Sequence, residues 1–430
     1  MTESKIKETL EKLFRLHQLG VKFGLDNTIG FLKELGNPHL NLKCFHIAGS
    51  NGKGSTSSFI ASILMECGHK TGLYTSPHFV RFNERIKING AEIDDEYVVN
   101  FYNQNAGYIE EKNLTFFETT TCMAFKYFAD SNVDYAVIET GLGGRLDSTN
   151  VIDPLASVIT SISLEHTNIL GHSIDQITSE KAEIIKSGGK TFIGKLPEIA
   201  VNIIENKCKT VDNQLFILND FIIERAEHIE LYTEELDIDR LESPLPGNYQ
   251  RLNAALAILA VYETLDFADE NIFVRAVKNV IKNTGIQGRF EYAHLNPYVI
   301  LDSAHNPEGI TNFLSEFEKH NNKFNRRTLL FTALKDKNIR EMIQPLKSAF
   351  NEIVITTIEN ERAETAEQIA KIASEYTGNY RVSDSPEAEV TNFFVQAKEN
   401  DCLVILGSMY LVGRIKEHLE KNKNNINNKF

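Results

Sequence analysis

The segment Gly49-Ser50-Asn51-Gly52-Lys53-Gly54-Ser55-Thr56 has the residue types needed to hold a polyphosphate. Its glycines let backbone N–H groups approach an anion, and Lys53 offers a charge to the β- and γ-phosphates. Ser55 or Thr56 offers an oxygen to Mg2+. The apolar run Cys44-Phe45-His46-Ile47-Ala48 before it reads as a buried strand. Behind it, Phe59, Ile60, Ile63 and Leu64 fall at helical spacing between Ser57 and Cys67. Strand, Gly/Lys turn and helix is the geometry of a nucleotide-binding loop. Two positions depart from the standard pattern: Ile47 stands where the first glycine belongs, and Gly54 separates Lys53 from the hydroxyl residue. A plain turn is the competing reading.

Other chemistry-bearing residues follow apolar runs, where ligands of open α/β sheets gather. Glu139 ends Tyr135-Ala136-Val137-Ile138 and enters the loop Gly141-Leu142-Gly143-Gly144-Arg145. An acid there suits a metal or water ligand, or is a surface acid at a strand end. Ser76 follows the strand Gly72–Thr75 and offers a second hydroxyl, though Ser76-Pro77 alone reads as a turn. His166 follows Ala156–Ile162, and a lone histidine is either structural or a ligand. Lys181 is more telling. Ser173 and Gln176 have capping-box spacing, predicting a helix that ends near Gly188. Its apolar positions are Ile174, Ile177, Ile184 and Ile185, and Lys181 falls on the same stripe. A lysine on a buried face is costly unless it snorkels, is paired or is chemically altered. Farther on, Asp302 at the end of Tyr298–Leu301 suits a ribose hydroxyl, with His305 and Asn306 beside it. Arg289 lies in a linker from which it could reach phosphates; a charged hinge and a helix N-cap are the plainer alternatives.

Strand-like runs alternate with helical patterns for most of the chain, which predicts α/β with mostly parallel sheets. At 430 residues two or three domains are expected. Strands are expected at Cys44–Ala48, Gly72–Thr75, Tyr135–Glu139, Ala156–Thr160 and Thr191–Ile193. An antiparallel excursion is expected within Phe216–Asp239. Near Asn283–Pro297 helical patterning gives way to Gly285, Gly288 and Pro297, and a second set follows: Tyr298–Leu301, Thr328–Thr332, Glu352–Thr356 and Cys402–Leu406. The reading is a large N-terminal P-loop-type parallel-sheet domain over 1–288 and a smaller Rossmann-like α/β domain over 289–430. The Asn/Lys-rich tail from Lys421 reads as frayed.

Composition narrows the classes. The net charge of −14 and pI of about 5.4 argue against a nucleic-acid partner held by a general basic field. Anionic ligands would need local cations. The five cysteines, Cys44, Cys67, Cys122, Cys208 and Cys402, form no Cys-x-x-Cys pair and read as reduced. Met1–Glu11 is charged without a signal-peptide core, and no apolar run approaches a membrane span. A cytoplasmic, monomeric protein with no membrane partner is expected.

Taken in order, these residues resemble the Mur ligase superfamily and, within it, the folylpolyglutamate synthase/dihydrofolate synthase family. The resemblance runs from Phe23-Gly24-Leu25 and Leu35-Gly36-Asn37-Pro38 to Gly407-Ser408-Met409-Tyr410-Leu411-Val412-Gly413. Its most specific parts are Gly72–His78 with Phe82-Asn83-Glu84-Arg85-Ile86, which looks like the folate branch, and Glu139–Asn150; Lys335-Asp336-Lys337 also fits. The resemblance implies that Ser50, Asn51, Gly52, Lys53, Gly54 and Ser55 wrap the ATP phosphates and that Asn253 faces the adenine. It gives Arg289, Asp302 and His305 to the nucleotide from the second domain. It implies that Ser76, Glu139 and His166 hold Mg2+, two ions in all, with Lys181 carbamylated as a further ligand. Thr115, Phe116, Phe117 and Glu118 with Arg145, Leu146, Asp147 and Ser148 would line a pteroate pocket. Three positions depart from the family pattern: Glu165 replaces an Asp before the metal histidine, Glu183 a small residue, and Asn338 an Asp.

The expected reaction is ATP-dependent amide formation between L-glutamate and dihydropteroate and/or the tail of reduced folates. It passes through an acyl phosphate, with Lys53, Lys181, His166 and Arg289 as catalytic groups and the segment Asn283–Pro297 as a hinge. The alternatives are a Mur-type ligase on another carboxylate acceptor, a P-loop kinase or GTPase, and a non-catalytic nucleotide-binding regulator. The segment Thr75–His78 argues against the first, and no Asn-Lys-x-Asp motif supports a GTPase.

Overall fold

The structure, a computed structural model, describes residues 3–20 and 24–422. Phe23 of the first resemblance segment and the tail beyond Asn422 lie outside the described residues. The chain divides into two compact units, Met1–Pro244 with Gln250–Ile286, and Leu245–Tyr249 with Gln287–Phe430.

The first unit contains strands β1 Cys44–Ala48, β2 Thr71–Tyr74, β3 Ile86–Ile88, β4 Ala91–Glu92, β5 Tyr135–Glu139, β6 Ala156–Ile159, β7 Lys190–Ile193 and β8 Gln214–Ile217. They form one sheet in the order β4-β3-β2-β5-β1-β6-β7-β8. Every pairing is parallel except β2 with β3 and β3 with β4. β1 is buried at every position, as a strand covered on both faces must be. Pro- and Gly-free runs rich in Val, Ile, Phe and Ala make β1, β5 and β6, so these strands were legible to within a residue. The antiparallel excursion follows as β9 Ile222–Glu224, β10 Ile229–Tyr232 and β11 Asp237–Leu241.

β5 and β6 flank β1 on opposite sides, so the chain between them must cross it. It does so with no helix. The amide of Thr140 donates to Ile47 O at the carboxyl end of β1, and that of Leu155 donates to Cys44 O at its amino end. The Gly/Asp-rich stretch between therefore passes over the central strand in a series of turns, with Asp147 N donating to Gly144 O and Asn150 N to Asp147 O.

The second unit carries β12 Glu291–Leu295, β13 Tyr298–Leu301, β14 Arg327–Phe331, β15 Glu352–Thr356, β16 Tyr380–Ser383 and β17 Cys402–Leu406. The order is β12-β13-β17-β14-β15-β16, antiparallel only between β12 and β13. Phe290, Phe313, Phe317, Phe324 and Phe350 fill its core. Among the described residues no helix is long and apolar enough to cross a membrane.

Candidate active site

The loop after β1 is tied to the chain leaving β6. Ser50 N donates to Ser161 O at 2.8 Å, Asn51 N to Ser161 Oγ at 2.8 Å, and Thr160 Oγ1 to Asn51 O at 2.6 Å. Ser50 Oγ accepts from Ser163 N at 2.9 Å. The helix Lys53–Glu66 then begins at Gly52, whose φ of 85° is left-handed. The sequence expectation started this helix at Ser57. It starts a turn earlier because Lys53 and Gly54 already carry helical backbone, with Thr56 N donating to Gly52 O. The helix N-terminus therefore opens onto the loop itself, as anion binding requires. Ser55 Oγ is buried and has no hydrogen-bond partner. A buried hydroxyl left unsatisfied beside a helix N-terminus fits an oxygen-seeking ligand.

Close packing makes the loop intolerant of side chains. At Gly49 φ is 154°, and an added Cβ would stand 1.9 Å from Thr160 Oγ1 and 3.2 Å from Ser161 N. Gly49→Ala is therefore expected to displace the loop from β6 and to lower ATP-dependent turnover by at least about tenfold. Steady-state rates with a thermal melt check this, and turnover within twofold of the parent would contradict it. Asn253, on the helix Asn248–Leu265, abuts the same loop: a Cβ on Gly52 would lie 2.7 Å from its Oδ1.

Two lysines converge on this loop. Lys53 Nζ donates to Gly49 O at 2.9 Å and to Ser50 O at 3.3 Å. Lys181 Nζ donates to Gly49 O at 2.9 Å and to Glu165 Oε1 at 2.8 Å. Lys181 is 1% exposed and Glu165 7%, so the pair is enclosed. Burial drives the Lys181 ammonium below its usual range. Burial alone would push Glu165 up, but Lys181, Lys53 and His166 outweigh it and hold the carboxyl at about 2.

The helix carrying Lys181 corrects the expectation. It runs Ile174–Ala182, not to Gly188, so Ile184 and Ile185 lie past its end. Asn150 Nδ2 donates to Glu183 O and Ser157 Oγ to Ile184 O, taking carbonyls that a longer helix would need. The capping box does not form either. Ser173 makes no side-chain cap bond, and Gln176 Oε1 accepts from His172 N at 2.7 Å.

Glu139 is buried at the end of β5, and its Oε2 accepts from Ser76 N at 3.0 Å, which joins two of the expected metal ligands. His166, at φ 45°, precedes the short helix Thr167–Leu170. Among the described residues no group of three or more His, Cys, Asp or Glu side chains could hold a metal ion. The expected set contains a serine and a lysine, so it is not of that kind.

In the proposed pocket, Thr115 and Glu118 form a capping box that opens the helix Phe116–Asp130, with Thr115 N donating to Glu118 Oε2 at 2.6 Å. Their Thr-x-x-Glu spacing was a structural signal in the sequence. Phe116 is buried, stacks on His17 with ring centroids 3.9 Å apart, and lies under Arg85 at 5.0 Å. Arg85 Nε also donates to His78 Nδ1 at 2.8 Å. Phe117 lies over Gly141: a Cβ there would be 2.4 Å from the ring. Arg145 is half exposed and paired with Glu180 at 2.9 Å. Asp147 is buried, and its Oδ2 accepts from Leu142 N at 2.7 Å. Arg85 and His78 were quoted as motif residues and not as candidates; a buried arginine is the signal that marks them.

In the second unit Arg289 donates to Gly288 O and to Ser303 Oγ. Both Asp302 oxygens accept backbone N–H groups, from Phe290 at 2.7 Å and Ala304 at 2.8 Å. Asp302 thus ties the chain before β12 to the end of β13. His305 Nδ1 lies 2.8 Å from Ser303 O.

Residues 47–261 match the model of the Mur ligase middle domain, and residues 288–409 that of the Mur ligase glutamate ligase domain. Among curated relatives, the dihydrofolate synthase/folylpolyglutamate synthase of Bacillus subtilis is 36% identical over 94% of this chain and 96% of its own length. The Escherichia coli protein of the same description is 30% identical over 97% and 96%. Among solved structures, E. coli FolC in complex with DHPP and ADP superposes with a TM-score of 0.86 at 28% identity, covering 96% of this chain and 98% of that one. Folylpolyglutamate synthase of Thermotoga maritima gives 0.83 at 30% identity, covering 97% of each chain. With both domain types matched and a relative 36% identical over nearly its whole length, the chain belongs to the folylpolyglutamate synthase/dihydrofolate synthase family of Mur ligases.

Proposed function

We propose that the protein is an ATP-dependent ligase that adds L-glutamate both to dihydropteroate and to the tail of reduced folates, releasing ADP and phosphate. The observation that carries this reading is the convergence of Lys53 and Lys181 on Gly49 O. It builds the phosphate cradle and the buried Lys181–Glu165 pair into one hydrogen-bonded unit. The family's activities, as its curated relatives are described, support the substrates.

The acceptor carboxylate attacks the γ-phosphorus and the bond to ADP breaks, giving an acyl phosphate. The glutamate nitrogen then attacks the acyl carbon, and the tetrahedral species expels phosphate as the nitrogen loses its proton. The loop 50–55 wraps the phosphates, and Lys53 neutralises charge as it moves to the leaving ADP. Ser76, Glu139 and His166 would hold Mg2+, which when bound supplies charge neutralisation; oxygen donors with one imidazole suit that hard cation. Lys181 would serve as a carbamate. As a neutral amine it adds CO2 and loses one proton, which exchanges its bond to Glu165 for a new anionic oxygen pair. Phe116, Phe117, Arg145, Leu146, Asp147 and Ser148, on the framework set by Thr115 and Glu118, would face the pteroate. Asn253 would face the adenine, and Arg289, Asp302 and His305 of the second unit keep their nucleotide roles. We assign a monomer in the cytoplasm, in keeping with the five free cysteines.

Phosphate release with Mg·ATP and L-glutamate tests this, comparing dihydropteroate, tetrahydrofolate and no acceptor, with product masses recorded. Release that depends on glutamate, with a mass gain of one glutamyl unit on each acceptor, is expected. Release with neither acceptor despite ATP binding would overturn the reading in favour of another acceptor or a regulator.

A further inference from the structure

His46 is the one strongly polar side chain on β1, and the active-site chemistry makes no use of it. It is 0% exposed on the central strand of the sheet. The chain crossing from β5 to β6 passes over β1, and Thr149 Oγ1 of that crossover lies 2.8 Å from His46 Nε2. Thr149 Oγ1 in turn donates to Asp147 Oδ1 at 2.5 Å. Asp147 Oδ1 also accepts from Thr149 N at 3.0 Å, and Oδ2 from Leu142 N at 2.7 Å.

The proton directions follow from counting donors. Both Asp147 oxygens accept N–H groups and a carboxylate has no proton to donate, so the Thr149 hydroxyl spends its single proton on Oδ1. Thr149 Oγ1 can then only accept from His46, which makes Nε2 the protonated ring nitrogen. His46 Nδ1 agrees: it is buried and has no hydrogen-bond partner. Burial, with the charge of Lys186 adding to it, holds the imidazole neutral, its pKa pushed down to about 3. A helical crossover would have satisfied its own backbone. This one is a glycine-rich series of turns that leaves part of its backbone to other partners, so it draws on side-chain acceptors such as Asp147 and an anchor on the strand below.

We propose that His46 is a positioning residue for the acceptor pocket, acting through the buried chain His46 Nε2–H to Thr149 Oγ1–H to Asp147 Oδ1. The chain holds Asp147, and with it the loop Leu142–Thr149, at fixed height above β1. This rests on the assignment of Arg145–Ser148 to the pteroate pocket. His46 touches no substrate; its role is to keep the pocket from sagging onto the strand.

The position of the active nitrogen gives a discriminating test. Glutamine places an amide nitrogen where Nε2 stands, whereas asparagine reaches only the Nδ1 position. His46→Gln is expected to keep the acceptor KM within about threefold of the parent. His46→Asn and Thr149→Val are expected to raise it about tenfold or more, with the KM for ATP and the melting temperature of His46→Asn close to those of His46→Gln. Independently of catalysis, ring-15N-labelled histidine in the full chain should show one Nε2–H tautomer that exchanges slowly with solvent. That signal should be absent from His46→Gln and shifted in Thr149→Val. Equal acceptor KM for His46→Gln and His46→Asn, or an Nδ1–H tautomer at His46, would overturn the proposal. If no pteroate acceptor is used at all, the spectrum still decides the hydrogen-bonded chain, so the failure of the pocket assignment is separable from the failure of the relay.

Discussion

Lys53→Ala is expected to lower glutamate-dependent ADP formation by about 10³-fold while leaving the protein folded. The argument starts from where the ammonium sits. It is folded onto the carbonyls of Gly49 and Ser50, at 2.9 and 3.3 Å, over the loop that the helix N-terminus faces. Both bonds go to a loop that is independently stitched to Thr160, Ser161 and Ser163. Removing Lys53 therefore costs the loop little, and the melting temperature should stay within a few degrees of the parent. The loss falls on the transferring phosphoryl group, whose charge grows toward the leaving oxygen and loses its nearest ammonium. Arginine should not restore the rate. Its planar fork needs more room than a compact ammonium and cannot turn back onto two carbonyls of its own loop in the same way. Steady-state ADP formation for parent, Lys53→Ala and Lys53→Arg decides the matter. Near-normal turnover in the alanine variant would remove the phosphate-cradle reading of Gly49–Thr56.

Several of the strands and buried residues around this site could be read before the fold was known, for an identifiable reason. β1 and β5 are continuous apolar runs, buried on both faces, and hydrophobicity alone marks them. Lys181 stood out because a charge interrupted an apolar stripe, and it is indeed enclosed. The place where its helix ends was not legible. The bonds that end it come from Asn150 and Ser157, distant in sequence, and no local capping signal encodes them. β3, β4, β12 and β16 were missed because short strands with charged or exposed positions lack a buried period. β8, with only one buried position, overlaps the start of the expected excursion at Phe216–Ile217 and was not separated from it. His46 is the instructive case. Its polarity within an apolar strand was visible, but its meaning depends on β5 and β6 lying on either side of β1, and pairing order is a property of the whole sheet. Thr115 and Glu118 show the converse. A family resemblance drew them toward a ligand while their spacing already described a helix cap.

In CO2-free buffer, where Lys181 is the unmodified ammonium paired with Glu165, Lys181→Met should destabilise the protein by about 3–5 kcal/mol, lowering the melting temperature of the affected unit by roughly 10 °C. Methionine matches the length of the stem, so packing changes little. What is lost is the cation bonded to Glu165 Oε1 in an enclosed pair, and a carboxylate stranded in such a place is costly. The double variant Lys181→Met/Glu165→Gln should recover at least half of that loss, because the remaining group is neutral. If Lys181 merely filled space, the two changes would instead add. The wild-type pair also sets a pH dependence. With Glu165 held at about 2 against roughly 4.3 in the unfolded chain, its contribution is complete above pH 5 or so and drains away as pH falls toward 2. The double variant should lack that part of the acid sensitivity. Turnover is a separate readout: neither variant should regain it, since neither restores an amine able to take up CO2, and the recovered stability of the double variant would show that the rate loss is chemical and not a failure to fold.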